Sequence, residues 1–328
     1  MDIYFNDDYG KLYESIENGK SEVFEFTCGL GKIKNQFIKR KIPNKINNTT
    51  YFDIVTPYGY GGPLITEIKD KEKINDLVEK YIESFKEYCE KNNIVSEFIR
   101  FHPIIGNVND FKDVYEVKNI RKTLGTNLKD YTDPIQVEFS KSSRKTIRQV
   151  LKKGITYRVI EKPENIRDFK EIYYSTMDRN EASEYYYFDD EYFEKCLTYF
   201  RENLIIIEVI YDDKVIASGL YFVCGNILQA HLSGTLNEYL EMSPAYITKY
   251  ATALWAIENG IDYIHYGGGT TNSIEDSLYK FKKKFSQNTE FDFYIGKKIW
   301  NMDIYNELCK LNKSDIDDVY FPAYRKVR

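Results

Sequence analysis

The chain has 328 residues, 42% hydrophobic and 30% charged, so it carries enough apolar material for a core and lacks the signature of disorder. That length exceeds what one core usually serves, and two domains are expected. A formal net charge of −5 excludes a global field that gathers nucleic acid, so any anion site must be local.

The first residues, MDIYFNDDYGKLYESIENG, are acidic and have no apolar core, and no run long enough for a membrane span follows, which points to a cytoplasmic protein without a signal peptide. Strands are expected around 22–26 and over 31–42, and again within 51–65. The last of these stretches contains Tyr58-Gly59-Tyr60-Gly61-Gly62-Pro63, a segment that is either a tight turn or a place where backbone approaches a ligand. Ile74, Leu77, Val78, Tyr81, Ile82 and Phe85 recur at helical spacing and predict an amphipathic helix. A strand over 97–101 then delivers Arg100 and, just past its end, His102, both candidates to face a cleft.

Residues 141–153 predict a helix with Ser140 as N-cap and Gly154 as C-cap. Lys141, Arg144, Lys145, Arg148 and Lys152 fall three or four apart on it with no acid between them, which is either a solvated face or a phosphate site. A strand over 156–161 follows, then a helix opened by Pro163 and a second from about 190. Three apolar strands, 204–211, 215–223 and 227–235, read as a meander. On the last, His231, Ser233 and Thr235 alternate and are expected to share a face. A helix over 244–259 stops at Gly260, and the strand 262–266 runs into Gly267, Gly268 and Gly269. The helix with Leu278, Phe281 and Phe285 then carries Lys282 beside its apolar stripe, and a strand closes the series at 290–296. The five cysteines form no C-x-x-C pair and the three histidines are far apart, so neither a disulfide framework nor a metal site is expected.

The order of the second half, β-α-α-β-β-β-α-β-α-β, matches the GNAT acyltransferase fold, and the first half reads as a partial copy of it. The boundaries expected are 1–140 for the first domain, 141–156 for the basic linking helix and 157–328 for the second domain. Six segments in order, TPYGYGGP, FIRFHP, TMDRN with YYYF, HLSGT, HYGGG and DSLYKFKKKFS, resemble the Fem-type (FemABX) aminoacyl transferases and the related BioF2-like acetyltransferases. The resemblance implies an α/β (α+β) protein of two tandem GNAT-like domains, with mixed sheets flanked by helices and a cleft between them.

It also implies transfer of an acyl or aminoacyl group to an amine of a cell-wall or polysaccharide precursor. Phe281 and Lys282 fall on the family's catalytic Phe-Lys, the lysine stabilising the tetrahedral intermediate and the phenylalanine lining the acyl channel. Arg179 falls on an arginine that holds precursor phosphate, with Tyr186 or a neighbour assisting, and the helix with Arg144, Arg148 and Lys152 matches a basic inter-domain segment. Ser233, Thr235 and Gly268 end the two strands between which an acyl donor enters a GNAT fold, and His231 is the best candidate for the general base. The donor is either aminoacyl-tRNA or acyl-CoA, and the acceptor a phosphorylated small molecule. The helical arm of some Fem proteins, the arginine before Gly-Pro and the pyrophosphate loop R-x-x-G-x-G/A have no counterpart here; Gly61 and LNEYLEMSPAY stand at the last two places. Two rival readings remain at this stage, an acyl-CoA-dependent N-acetyltransferase and a non-catalytic binder of cell-wall intermediates.

Overall fold

A computed structural model describes residues 1–316 and 318–326. Their contacts divide the chain into a host unit, Tyr4–Ile120 with the described residues from Asp292 onward, and an inserted unit, Met1–Ile3 with Arg121–Phe291. Each contains both parallel and antiparallel strand pairs, flanked by helices.

In the host unit, β1 (Gly19–Cys28) and β2 (Gly31–Lys41) form an antiparallel hairpin. Strand β3 (Phe52–Val55) pairs with β2 on one side, and β4 (Leu64–Ile68), which has no clear alternation in sequence, pairs with it further along. Helix α1 (Ile74–Lys91) buries the stripe Leu77, Val78, Tyr81, Phe85 and Cys89, as its spacing requires. It leads into β5 (Ile94–Arg100), parallel to β3, and a one-turn α2 (Val108–Phe111). The next strand, β6 (Glu116–Asn127), starts in the host unit and ends in the inserted one.

The inserted unit continues with α3 (Pro134–Glu138) and α4 (Lys141–Leu151), whose N-cap is Ser140, accepting from the Ser143 amide at 3.2 Å. Strand β7 (Thr156–Glu161) precedes α5 (Arg167–Arg179). This helix begins four residues after Pro163: Lys162 has a positive φ of 49°, and the Asn165 side chain caps the Arg167 amide instead. Next come α6 (Asp190–Phe200) and the meander β8 (Leu204–Tyr211), β9 (Lys214–Cys224) and β10 (Ile227–Thr235). Asp212 and Asp213 both take positive φ, 50° and 57°, which is the two-residue turn that matches strand twist. Helix α7 (Pro244–Glu258) ends at Gly260, where φ is 67° and the Ile261 amide bonds back to Ala256. Then follow β11 (Tyr263–Gly267), α8 (Ser277–Lys283) and β12 (Glu290–Ile299).

Strand β12 leaves the inserted unit at Phe291 and pairs antiparallel with β5, Ile295 opposite Arg100 and Ile299 opposite Ser96. Helix α9 (Met302–Leu311) then packs Tyr305, Leu308 and Cys309 against Ile42, Ile46 and Val95. The contacts therefore divide the chain at 120 and again at 291, whereas the sequence places its boundary at 140. Among the described residues no helix is long and apolar enough to cross a membrane.

Candidate active site

Strands β10 and β11 run parallel but pair over three residues only, Ile227–Tyr263, Leu228–Ile264 and Gln229–His265. Beyond that point β10 stays on β9 as far as Thr235, while β11 shifts register against β6 and turns off at Gly267. The two strands thus fork, and a buried polar pair closes the fork: His265 Nδ1 lies 2.8 Å from Gln229 Oε1, and its Nε2 lies 3.0 Å from Thr123 Oγ1. The chain past the fork carries backbone groups that no neighbouring strand satisfies, which is where a ligand finds partners.

A cavity of about 90 Å³ sits there, lined by Thr176 of α5, Ser233, Gly234 and Thr235 of β10, Ala245, Thr248 and Lys249 of α7, and Phe281 of α8. Gly234 permits the close approach of α5, since a Cβ there would lie 2.4 Å from the Ile172 carbonyl oxygen. The contact is fastened by Thr176, whose hydroxyl accepts from the Thr235 amide at 2.8 Å. Arg179, one turn on, donates to the Thr235 carbonyl at 2.9 Å and to the Asn237 side chain at 2.5 Å. Its guanidinium therefore braces the end of β10 at the cavity rim.

On the α8 side, Lys282 donates to the Gly268 carbonyl at 2.6 Å. Gly267 has φ of 70°, and side chains at Gly268 and Gly269 would strike Arg121 and Asp276, so the three glycines let the loop fold between these charges. Asp276 caps α8 through the Tyr279 amide at 2.8 Å and gathers the loop through the Thr271 amide and the hydroxyls of Thr270 and Thr271. Burial pushes its carboxyl up, but these hydrogen bonds outweigh burial and hold it well below the usual carboxylate range. Lys282 moves the other way: burial, then the like charges of Lys249 and Arg121, lower it to about 7 against the pull of Asp276.

Lys282, Phe281, Ser233, Thr235, Gly268 and Arg179 are thus gathered around the fork. His231 is not. A bulge between Ala230 and Leu232 makes it an extra residue in the strand and breaks the alternation, so it turns away from Ser233 and Thr235 toward α6. There it lies among Phe188, Tyr192 and Phe222, with Nε2 2.5 Å from the Tyr192 hydroxyl, and burial lowers it to about 3. An imidazole with so little hold on a proton is a poor general base at neutral pH.

The remaining candidates lie elsewhere. Tyr186 is exposed next to Tyr185, while its backbone oxygen accepts from Tyr173. Arg144 folds back to donate to the Gln136 and Phe139 carbonyls, whereas Lys141, Lys145, Arg148 and Lys152 stay exposed along α4. Tyr58, Tyr60, Arg100 and His102 belong to the host unit. There His102 Nδ1 accepts from the amides of Ile104 and Ile105, Arg100 donates to the Thr56 carbonyl, the Tyr58 carbonyl accepts from Tyr9, and Tyr60 meets Tyr4, His102 and Phe293 edge to face.

Four residues at the fork escape sequence reasoning: Arg121, Thr176, Lys249 and Asp276. One signal for Lys249 is present, because it is the only charge between Pro244 and Ile257 in an otherwise apolar helix.

Known proteins fit this geometry. An acetyltransferase (GNAT) domain family matches residues 138–283. The chain is 27% identical over 123 residues to the UDP-N-acetylmuramoylpentapeptide-lysine N(6)-alanyltransferase of Weissella viridescens, a stretch covering 37% of this chain and 36% of that protein. That match spans about a third of the relative's length. The fold superimposes on the crystal structure of FemX with a TM-score of 0.69 at 15% identity, covering 93% of this chain and 94% of the other. L-PGS from Bacillus licheniformis follows with a TM-score of 0.54 at 11% identity, covering 90% and 93%. Residues 138–283, which hold the forked strands, thus match a GNAT domain family, and the chain has the fold of FemX over nearly its whole length.

Proposed function

We propose that the chain transfers an acyl or aminoacyl group to an amine of a phosphate-bearing cell-wall precursor, with Lys282 stabilising the oxyanion and Phe281 lining the acyl cavity. The observation that carries this reading is the position of Lys282: a cation at the mouth of the fork, held by a carbonyl and set beside a small cavity that opens between α5, α7 and β10. A positive charge already aimed at the place where an oxyanion develops needs no reorganisation, and one such donor is worth about 3 to 4 kcal/mol of transition-state stabilisation.

An aminoacyl ester suits the site better than an acyl-CoA. The segment before α7 lacks the R-x-x-G-x-G/A loop and instead carries Glu238 and Glu241, whose charges oppose a pyrophosphate at that helix N-terminus. The relative from Weissella viridescens is named for alanyl transfer to the lysine of a UDP-linked muramoyl pentapeptide, which makes alanyl-tRNA and that pentapeptide the first pair to test. The exposed cations of α4 give the acceptor's phosphates a place to bind. Such a reaction belongs in the cytoplasm, and five free cysteines agree with a reducing compartment.

The test is transfer of radiolabelled alanine from alanyl-tRNA to the UDP-linked pentapeptide, with the product identified by mass spectrometry. Lys282→Ala is expected to lower the chemical step by about 100-fold or more with little change in acceptor affinity. Lys283→Ala should change little, since that lysine pairs with Glu290 at the surface. Binding of the pentapeptide without any turnover would favour the non-catalytic binder, and equal, small losses at both lysines would remove the mechanism.

A further inference from the structure

The fork holds a second buried amine. Lys249 lies on α7 in the cavity wall, 8% exposed, with its Nζ 4.3 Å from the centroid of the Tyr266 ring. Among the described residues it makes no hydrogen bond and no ion pair. An ammonium so placed has the face of Tyr266 but no hydrogen-bond acceptor, and with other cations close by it costs more to bury than an amine.

The groups facing it supply no counter-charge. Lys282 comes from α8, and Tyr266 from β11 with its hydroxyl 2.7 Å from Thr126. Beyond Lys282 stand Arg121 of β6 and Asp276, and that carboxylate is already taken up by Thr270, Thr271 and the Tyr279 amide. Burial lowers Lys249 to about 8 and Lys282 to about 7, an order that by itself leaves the last proton on Lys249 and that only the hydrogen bond from Lys282 to Gly268 opposes. Gly268 offers Lys282 a carbonyl that favours keeping the charge there. Lys249 has no such acceptor among the described residues, and it lines the cavity.

We propose that Lys249 is the proton acceptor of the acyl transfer, working from the cavity wall together with Lys282. This rests on the acyl-transfer reading. The attacking amine bonds to the acyl carbon and loses a proton to the Lys249 amine, while the carbonyl oxygen becomes an oxyanion held by the Lys282 ammonium. The intermediate then collapses: the bond to the leaving oxygen breaks, that oxygen takes the proton back from Lys249, and both lysines return to their starting states. Only an amide and a free hydroxyl are produced, so no further reactant is needed.

Two substitutions separate a base from a fixed charge. Lys249→Met removes both properties, and Lys249→Arg keeps the charge but cannot accept a proton. With alanyl-tRNA and the UDP-linked pentapeptide, both variants should lose about 100-fold or more in the rate of the chemical step. The acid-side limb of the pH–rate profile should vanish in Lys249→Met, while the alkaline limb, which Lys282 sets, should remain. Lys249→Arg within about 3-fold of the wild type would overturn the proposal while leaving acyl transfer intact. Absence of any transfer by the wild type would instead sink the acyl-transfer reading and the base with it. A readout that needs neither turnover nor a folded variant is the ¹⁵N titration of the Lys249 amine in the wild-type protein. It should fall well below the ordinary lysine range, and an ordinary titration would overturn the assignment.

Discussion

A carboxyl group deep among aromatic rings must either lose its charge or collect enough donors to keep it, and Glu97 lies near that balance. It is 2% exposed in β5, with Asn35 donating to one oxygen at 2.9 Å and Tyr115 and Trp300 donating to the other at 3.1 and 3.2 Å. Burial raises it to about 7 against these bonds and the nearby Lys298. The folded state therefore binds a proton that the unfolded state releases near 4.5, so this contribution to stability is full below about 4.5 and is lost as the pH rises through about 7. Denaturant midpoints should fall over that window, by up to ~3 kcal/mol from this group alone, and Glu97→Gln should flatten the fall. Nothing in EFIRF marks Glu97 as buried on both sides of a sheet, and the eye is drawn to Arg100 instead. The place of Lys282 near the fork could be anticipated because a Phe-Lys pair follows the glycine-ended strand. Lys249 was not, because a lone lysine in a helix usually extends to solvent, and only packing shows that this one cannot. His231 misled for a local reason: alternation is a rule for regular strands, and the residue sits in a bulge.

Among the elements, the contact of α5 with β10 is the tightest constraint on the cavity. Gly234→Ala would put a Cβ 2.4 Å from the Ile172 carbonyl and 2.8 Å from the Tyr173 Cα, so the helix must move off the strand. We expect a loss of about 1 to 3 kcal/mol in thermal or denaturant unfolding, together with lower transfer activity as the Thr176–Thr235 bond opens. Helix α4 makes a different prediction. Its buried face is Ser143, Ile147 and Val150, and Arg148 stands on the exposed basic stripe, so Arg148→Glu should leave stability within about 0.5 kcal/mol. If the stripe receives phosphate, the same change should weaken pentapeptide binding and flatten its dependence on salt, as read by calorimetry at two ionic strengths. The elements that could be read from sequence are those with one dominant local signal, such as the β-branched run of β8 or the glycine that stops α7. Strand β6 and the start of α5 lacked one: EVKNIRKTLGTN shows no clean period, and at Pro163 tertiary placement overrode a common helix opener.

At the scale of the molecule, the contacts divide the chain where no local signal in the sequence marks a seam. Helix α4 looks like a linker in sequence, yet the host unit needs residues from beyond Asp292. Strand β12 pairs with β5, and Tyr305, Leu308, Ala323 and Tyr324 complete a core with Ile42, Ile46 and Val95. Asp53 makes the dependence electrostatic as well: it bonds Arg40 at 2.9 Å, Arg325, and the Tyr324 hydroxyl at 3.2 Å. Asp53→Asn leaves two guanidiniums facing a neutral side chain and should cost about 3 to 5 kcal/mol, measured by chemical denaturation. A fragment ending at residue 140 lacks β12 and α9 and should show no cooperative unfolding transition by circular dichroism. Co-expression of residues 292–328 need not rescue it, because joining two chains adds an association cost.

The nested arrangement also sets an order in time. On the ribosome, the inserted unit has all of its residues in hand once Phe291 has emerged, whereas the earlier-made host strands must wait for β12 and α9. The half translated first is completed last, and during that interval β5 presents an open edge. Its neighbour in the finished protein is only then being synthesised, so this edge is where a nascent chain of this protein most needs a chaperone.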